Sequence, residues 1–390
     1  MSLEPYNKRQ HFLDWLRVLA FAYLVFFHTG MMFVEWSFHI ESGHDSKILR
    51  SFMMLTTQWR MDLLFLVSGV AISVMMTKMT MTAFLKQRVI KLFIPAFIAT
   101  ILIVAPQPYF EALQKGIIEP GFWQFWTKDY FTGQFWDGML TPIPTYNHMW
   151  YVVYLFVYTA ILVPIIFFIN SGFGIKTLGK FEEWLCRKSR ILWAPYILYL
   201  AVFFYIGDNT VTHNIIDDDF GHLIYIYILI MGVLFVRMPD IWNAFERNRF
   251  NSLSLALIAY GINLIKFYWN TPLDVIPWDF VEMIIKWSWI ATITGFARCH
   301  LNFRNNILNY SNSIVYPFYI LHQTIIIMIG YYIIDWGLNA VFEYILILIG
   351  TYLICWFLIE TMIKRNNLLR ICFGLNPKRL ERATLADAHS

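Results

Sequence analysis

Charge is scarce in this chain: 14% of its 390 residues are Asp, Glu, Lys or Arg, whereas 58% are hydrophobic and 19% aromatic. A soluble domain of that composition would carry more apolar surface than folding can hide, so the balance points to a protein that spans a membrane several times. Cysteine is rare as well. Cys186, Cys299, Cys355 and Cys372 fall in inner segments or near the inner end of the last apolar run, which implies no disulfide framework and leaves them as packing residues. Linkers rich in Pro, Ser or Gly are missing, and so are internal repeats. The expectation is therefore one helical domain over residues 1–390, with a core of about 11–362 and a basic tail at 363–390. Lys8 and Arg9 precede a long apolar run with no small-residue cleavage site after a short hydrophobic region, so that run reads as a retained first span. The sequence has no G-x-x-x-x-G-K-[ST] phosphate loop, no H-E-x-x-H pair and no G-x-S-x-G elbow. His39 and His44 share an outer loop, but no Cys or paired carboxylate completes a metal site around them, and no metal is expected.

What is present in abundance is apolar runs that approach the roughly 20 residues a bilayer demands. They lie near 12–34, 61–77, 92–107, 149–170, 190–206, 220–236, 253–269, 280–297, 314–333 and 340–362. This predicts an all-α membrane protein with ten transmembrane helices. Lys and Arg collect in cytoplasmic loops, so the alternate connecting segments can be compared. The set that contains the N-terminus holds 22 Lys and Arg against 7 Asp and Glu, and the other set holds 5 against 14. LKQRVIK shows the inner pattern and VTHNIIDDDFG the outer one. Both termini are placed in the cytoplasm. The net charge of +4 is spread over six inner segments and makes no nucleic-acid footprint; the partner it implies is the lipid bilayer.

Two outer segments are long, 35–60 and 108–148, and loops of that length tend to be functional. The second carries Phe122, Trp123, Phe125, Trp126, Tyr130, Phe131, Phe135 and Trp136. Such rings can stack on sugars, or they can form an amphipathic piece in the interfacial aromatic belt.

The stretch 13–30, LDWLRVLAFAYLVFFHTG, places Asp14, Arg17 and His28 in one apolar helix. At about 100° per residue, the eleven residues from Arg17 to His28 make three turns plus about 20°, so the two face the same way about 16 Å apart along the axis. An ionisable side chain inside a span costs on the order of 3 kcal/mol, and two on one face suggest a polar cavity. Arg17 snorkelling to inner headgroups, with His28 bonded to a neighbouring helix, is the other explanation. Asp14 can pair with Arg17. Further polar residues fall at compatible depths: Arg60 and Asp62 in WRMDLLFLVSGV, then His148 and Trp150 in NHMWYVVYL. Ser68 and Gly69 of the first of these stretches read as a place where helices approach closely. YPFYILHQT sets Tyr316, Tyr319 and His322 at three-residue steps near one face, although a lone histidine of this kind is ordinarily a satisfied packing residue. On the inner side FLKQRVIKLFIP offers Arg88 and Lys91, a topology signal, an anionic-lipid contact or a seat for a phosphorylated cosubstrate.

Taken in order, FLDWLR with Arg17 and His28 at R-x10-H, WRMDLLFLVSGV, QRVIKLFIP, APQPYFEAL, NHMWYVVYL and SIVYPFYILHQT resemble the integral-membrane acyltransferase type 3 family over residues 11 to about 330. Within that family the chain looks most like the group containing the periplasmic glucan C-type succinyltransferases. It departs from the usual pattern with Leu64 and Leu66 beside Phe65, and with Lys91 where an arginine often stands, which keeps a cation but removes a bidentate fork. The resemblance implies ten core helices in a bacterial inner membrane. It also implies transfer of an acetyl or succinyl group from cytoplasmic acyl-CoA, a cosubstrate rather than a bound cofactor, to a hydroxyl of an extracytoplasmic glycan or lipid-linked sugar. Under it His28 is the general base, and Arg17, with Asp14, positions the donor or stabilises charge on the thioester oxygen. Arg88 and Lys91 hold CoA phosphates, and Arg60, Asp62, His148, Trp150, Tyr319 and His322 frame the acceptor side. A secondary transporter would share the buried charges but typically shows paired halves with interrupted helices, which this sequence lacks.

Overall fold

The computed structural model describes residues 10–133, 136–206, 211–269 and 278–378; Phe135 and residues 379–390 of the basic tail lie outside the described residues. Among the described residues every regular element is helical. Seven helical runs are long and apolar enough to cross a membrane: His11–Met31, Lys47–Met76, Met81–Gln114, Asn147–Asn170, Arg249–Trp269, Asn306–Trp336 and Ala340–Ile363. Arg190–Val202 and Asp219–Phe235 are shorter apolar helices. Helices suit a bilayer because they satisfy their own backbone hydrogen bonds where water is absent. The outer segment expected at 35–60 is partly helical. Ser46 Oγ accepts from the Leu49 N–H, and the chain then runs as Lys47–Thr57 before Arg60–Met76 begins.

Two compact units partition the chain. The first is built from residues up to Ala20, Met54–Phe84 and Val157–Leu308. Its tightest seam joins Arg60–Met76 to Asp219–Phe235. A Cβ on Gly69 would lie 2.1 Å from the Leu229 carbonyl oxygen, and one on Gly232 would lie 2.1 Å from that of Leu66, so the two backbones touch. The expectation for Gly69 is met, and Gly232 is the partner it required. Gly69→Ala is expected to destabilise this unit by about 1–3 kcal/mol, because the obstacle is backbone and cannot rotate away. Gly261→Ala, with nothing within 4 Å of its added carbon, is the control. Thermal unfolding in detergent should separate the two, and equal midpoints would contradict the close seam.

The same unit buries Trp287, whose indole N–H donates to the Ile191 carbonyl at 2.7 Å, among Phe245, Phe235, Trp242 and Phe12. Burial, together with Glu182 and Asp240, pushes the Cys186 thiol up to about 11, so it carries no thiolate at neutral pH.

The second unit comprises Phe21–Met53, Leu85–Phe156 and the chain from Asn309 onward. Its core gathers Val25, Met32, Phe33, Phe38, Tyr109, Phe110, Ile326, Ile327 and Ile347, together with Phe125 and Tyr130 of the long outer segment. Those two rings are therefore packing residues. Trp123 is 72% exposed and Phe131 50%, which leaves these two available to an interface. The last span is stapled to the first helix by Tyr352, whose hydroxyl donates to the Ala22 carbonyl at 2.7 Å, and by Tyr344, which donates to that of Phe26 at 3.2 Å.

Candidate functional site

Four breaks in regular structure organise the second unit, and each follows from a local sequence feature. Pro95 lacks an N–H, and its ring crowds the carbonyl of Lys91 four residues earlier; the helix opens there into a π turn, Val89–Phe93. A second π turn, Ala99–Ile103, leads to an interruption at Val104 and Ala105, after which Pro106 restarts the helix at its first turn. Gln107 and Glu111 then lie four residues apart on one face. Asn147 adopts φ +39, a left-handed conformation that asparagine tolerates, and turns the chain into Asn147–Met149 ahead of the next helix. Pro317 interrupts the backbone bonding of Asn306–Ile333 just before Tyr319 and His322.

The breaks at Asn147 and Pro317 lie beside His148 and His322, which meet His28 of the unbroken helix His11–Met31. The ring of His322 lies 5.3 Å from that of His28 and 5.3 Å from that of His148, centroid to centroid. His28 is half-buried and also stacks beside Phe38 at 6.2 Å; His148 and His322 are buried. The hydrogen bonds assign the protons. His148 accepts at Nδ1 from the Gln107 amide at 3.2 Å and donates from Nε2 to the Ile320 carbonyl at 3.1 Å. His322 donates from Nδ1 to the Tyr319 carbonyl at 2.6 Å, which makes its Nε2 the basic nitrogen. The Tyr319 hydroxyl donates to the His148 carbonyl, and its ring stacks on His322 at 5.7 Å and on Tyr316 at 6.3 Å.

Behind the histidines runs a chain of buried amides. The Gln107 amide also donates to Thr324 Oγ at 2.7 Å, while its carbonyl accepts from Asn147 at 2.7 Å and Gln323 at 3.2 Å. Asn147 donates in addition to Nε2 of His39, whose Nδ1 donates to Glu111 at 2.5 Å. The other oxygen of Glu111 accepts from Lys115 at 2.7 Å and from the Leu140 N–H at 2.8 Å. The network thus ties both long outer segments to the histidine cluster. Nearby, in the outer segment itself, burial raises the Tyr130 hydroxyl above its usual range, and it donates to the Thr100 carbonyl at 2.7 Å.

Of the residues expected from the sequence, His28, His148, Tyr319 and His322 are brought together. Trp150 packs edge-on against Tyr154 at 5.2 Å instead. Arg17 and Asp14 form the expected pair at 3.2 Å within the first unit, on the helix His11–Met31 that also carries His28. Arg60 and Asp62 are buried in that first unit, where Asp62 accepts from the Tyr199 hydroxyl at 3.2 Å. Arg88 is buried, whereas Lys91 lines a pocket and donates to the Gly374 carbonyl at 2.9 Å. Gln107, Glu111, Asn147, Gln323 and Thr324 escaped the sequence reading, as did the pairing of His39. The one signal that could have found the first two is a polar pair at i,i+4 directly after a proline start, inside the APQPYFEAL stretch. Among the described residues no group of three or more His, Cys, Asp or Glu side chains is arranged to hold a metal ion.

A model of the family described as an acyltransferase domain matches residues 10–360. Curated relatives include glucans biosynthesis protein C of Escherichia coli (strain K12), which is 23% identical over 348 residues covering 84% of each chain. The proteins of the same name from Escherichia coli O81 (strain ED1a) and O9:H4 (strain HS) match at the same identity and coverage. No solved structure matches.

Proposed function

The chain belongs to the acyltransferase family whose model spans residues 10–360, and from that premise we propose that it transfers an acetyl or succinyl group from cytoplasmic acyl-CoA to a hydroxyl of an extracytoplasmic glycan or lipid-linked sugar. The observation that carries the reading is the meeting of His28, His322 and His148, at ring separations of 5.3 Å, in front of a buried amide network. Imidazole is suited to moving a proton near neutral pH, and a buried hydrogen-bonded frame holds such rings in fixed tautomers.

In the proposed reaction the acceptor oxygen attacks the thioester carbonyl while its proton passes to His28. A C–O bond forms, the C–S bond breaks, and the CoA thiolate leaves to take up a proton from the imidazolium or from water. His322 lies beside His28, with His148 on its far side, and these two orient the acceptor with Tyr319. Arg17, held by Asp14, attends to charge on the donor, and Arg88 and Lys91 hold its phosphates. Arg60, Asp62 and Trp150 belong to the acceptor side in the same proposal. The reading carries a topology with it: ten spans, both termini in the cytoplasm of a bacterial inner membrane, and a single acyltransferase domain ending in the basic tail. The inner-segment excess of 22 Lys and Arg over 7 acids supports it.

The test is mass spectrometry of surface glycans and lipid-linked sugars from cells with and without the gene, together with labelled acetyl-CoA and succinyl-CoA given to the purified protein. Loss of an acetyl or succinyl ester in the deletion, restored by the wild-type chain, is the expected result. Unchanged glycans and lipids, with no label transferred from either donor, would overturn the proposal.

A further inference from the structure

Residues beyond 360 lie outside the stretch matched by the family model, and they build half of a concave pocket in the second unit. The pocket has a volume of about 440 Å³, within the range of small-molecule sites. Lys91, Asn312 and Ser313 contribute one wall, and Lys364, Arg370 and Asn376 another. Three cations therefore converge on one cavity. Lys364 is paired with Glu360 at 2.5 Å and lies over the Tyr310 ring at 4.6 Å, so it keeps donors beyond that one bond. All six residues fall in segments whose excess of Lys and Arg assigns them to the cytoplasmic side.

The C-terminal segment is folded so as to hold those charges. Asn366 caps the helix Asn367–Cys372 by accepting from the N–H groups of Leu368 and Leu369. Arg370, buried, donates from Nε to the Asn376 carbonyl at 2.6 Å and from Nη1 to that of Lys364 at 3.3 Å, which ties the two ends of the segment together. Lys91 closes it on the opposite wall through the Gly374 carbonyl. Gly374 has φ +71, and a Cβ there would fall 2.3 Å from Tyr316, so the approach requires glycine. An ammonium has three donors; one from Lys91 goes to Gly374, which leaves others for a ligand.

We infer that this pocket binds a phosphate ester, specifically the terminal monoester phosphate of the nucleotide-type acyl donor, and that Lys364, Arg370 and Asn312 complete a site of which Lys91 is the only member named above. The inference rests on the donor reading of the preceding section for the carrier of the phosphate. The charge favours a monoester: at neutral pH it carries about −1.5 to −2, against −1 for a diester headgroup, and it meets three cations here. The position also suits a donor. Tyr316, whose ring lies beside Gly374, stacks on Tyr319, and Tyr319 stacks on His322, so one helix face leads from the pocket to the histidine cluster. From Ser313 to His322 the rise is about 13 Å, a distance that an extended pantetheine arm covers.

The test measures binding of CoA, dephospho-CoA and adenosine 3′,5′-bisphosphate to the full chain in phosphatidylcholine nanodiscs, for wild type, Lys364→Gln and Asn312→Asp. Neither substitution removes the Arg370 brace, so the segment stays folded. Wild type is expected to bind CoA about tenfold more tightly than dephospho-CoA, and each variant to lose about that factor for CoA while its affinity for dephospho-CoA moves less than about twofold. If CoA binds but ignores both its 3′-phosphate and both substitutions, the pocket assignment falls while the donor reading stands. A parallel arm uses phosphatidylglycerol nanodiscs with native mass spectrometry. Should no CoA derivative bind, and anionic lipid be retained by wild type but not by Lys364→Gln, the phosphate belongs to a headgroup. The nucleotide assignment is then overturned together with the donor reading.

Discussion

His28→Asn is expected to lower turnover by about 10²–10⁴-fold, the range for loss of a positioned general base, with little change in the KM for the acyl donor. Asparagine preserves polarity and approximate size at a half-buried position flanked by Phe38 and His322, so the fold should survive; thermal unfolding in detergent checks that. The pH dependence separates a base from a mere packing ring. A base works deprotonated, so in wild type kcat/KM falls as pH drops through its pKa, and in the variant that acid limb should disappear from the residual rate. His322→Asn gives the contrast. Its Nδ1–H is committed to the Tyr319 carbonyl, and it sits between His28 and His148, so its loss should cost less, about tenfold, and leave the acid limb in place. If His28→Asn acylates at the wild-type rate, or if the acid limb vanishes with His322 rather than His28, the base has been assigned to the wrong ring.

The sequence made the helical class and the first-helix histidine legible for a simple reason. Long apolar runs and an R-x10-H spacing are local signals, and helical periodicity converts spacing into facing. Gly69 was legible as a close approach for the same reason, though its partner Gly232 was not, because the seam joins residues 163 apart in the chain. The rest of the candidate site was hidden by the neutrality or the apparent purpose of its members. Gln107, Asn147, Gln323 and Thr324 carry no charge and match no motif, and they acquire meaning only when breaks at Pro106 and Asn147 turn them toward one another. Glu111 counted as one more outer acid, and Lys364 and Arg370 counted as inner cations; a topological explanation that suffices for a charge conceals any second role. The pairing of His39 with Glu111 left no local signal because the two lie 72 residues apart in the chain.

Glu111 is the member whose loss should cost most. It is fully buried, and its two oxygens accept from His39, Lys115 and the Leu140 N–H. The bonds beyond it run with a fixed polarity: Asn147 donates both to His39 and to Gln107, and Gln107 donates to His148, which must then donate to Ile320. Glu111→Leu strands the buried His39 N–H and the Leu140 N–H together, and breaking a buried pair of this kind typically costs about 3–5 kcal/mol. Lys115 is spared part of the penalty because its side chain is 28% exposed and also donates to the Gly138 carbonyl at 2.5 Å. Glu111→Gln is the sharper experiment. Its amide nitrogen must face either His39 Nδ1–H or the Leu140 and Lys115 donors, so one donor meets another whichever way the group turns. Relief by moving the His39 proton to Nε2 would put that proton against the Asn147 amide, and turning Asn147 would in turn undo its donation to Gln107. The isosteric change should therefore lower stability by about 1–3 kcal/mol and, by loosening the tautomer of His148, reduce turnover of the protein that remains folded. Glu111→Asp, which keeps an acceptor at slightly longer reach, should recover much of both. Equal stability of the Gln variant and wild type would mean that the carboxylate is not the fixed end of the chain, and that the orientation of the histidine cluster is set elsewhere.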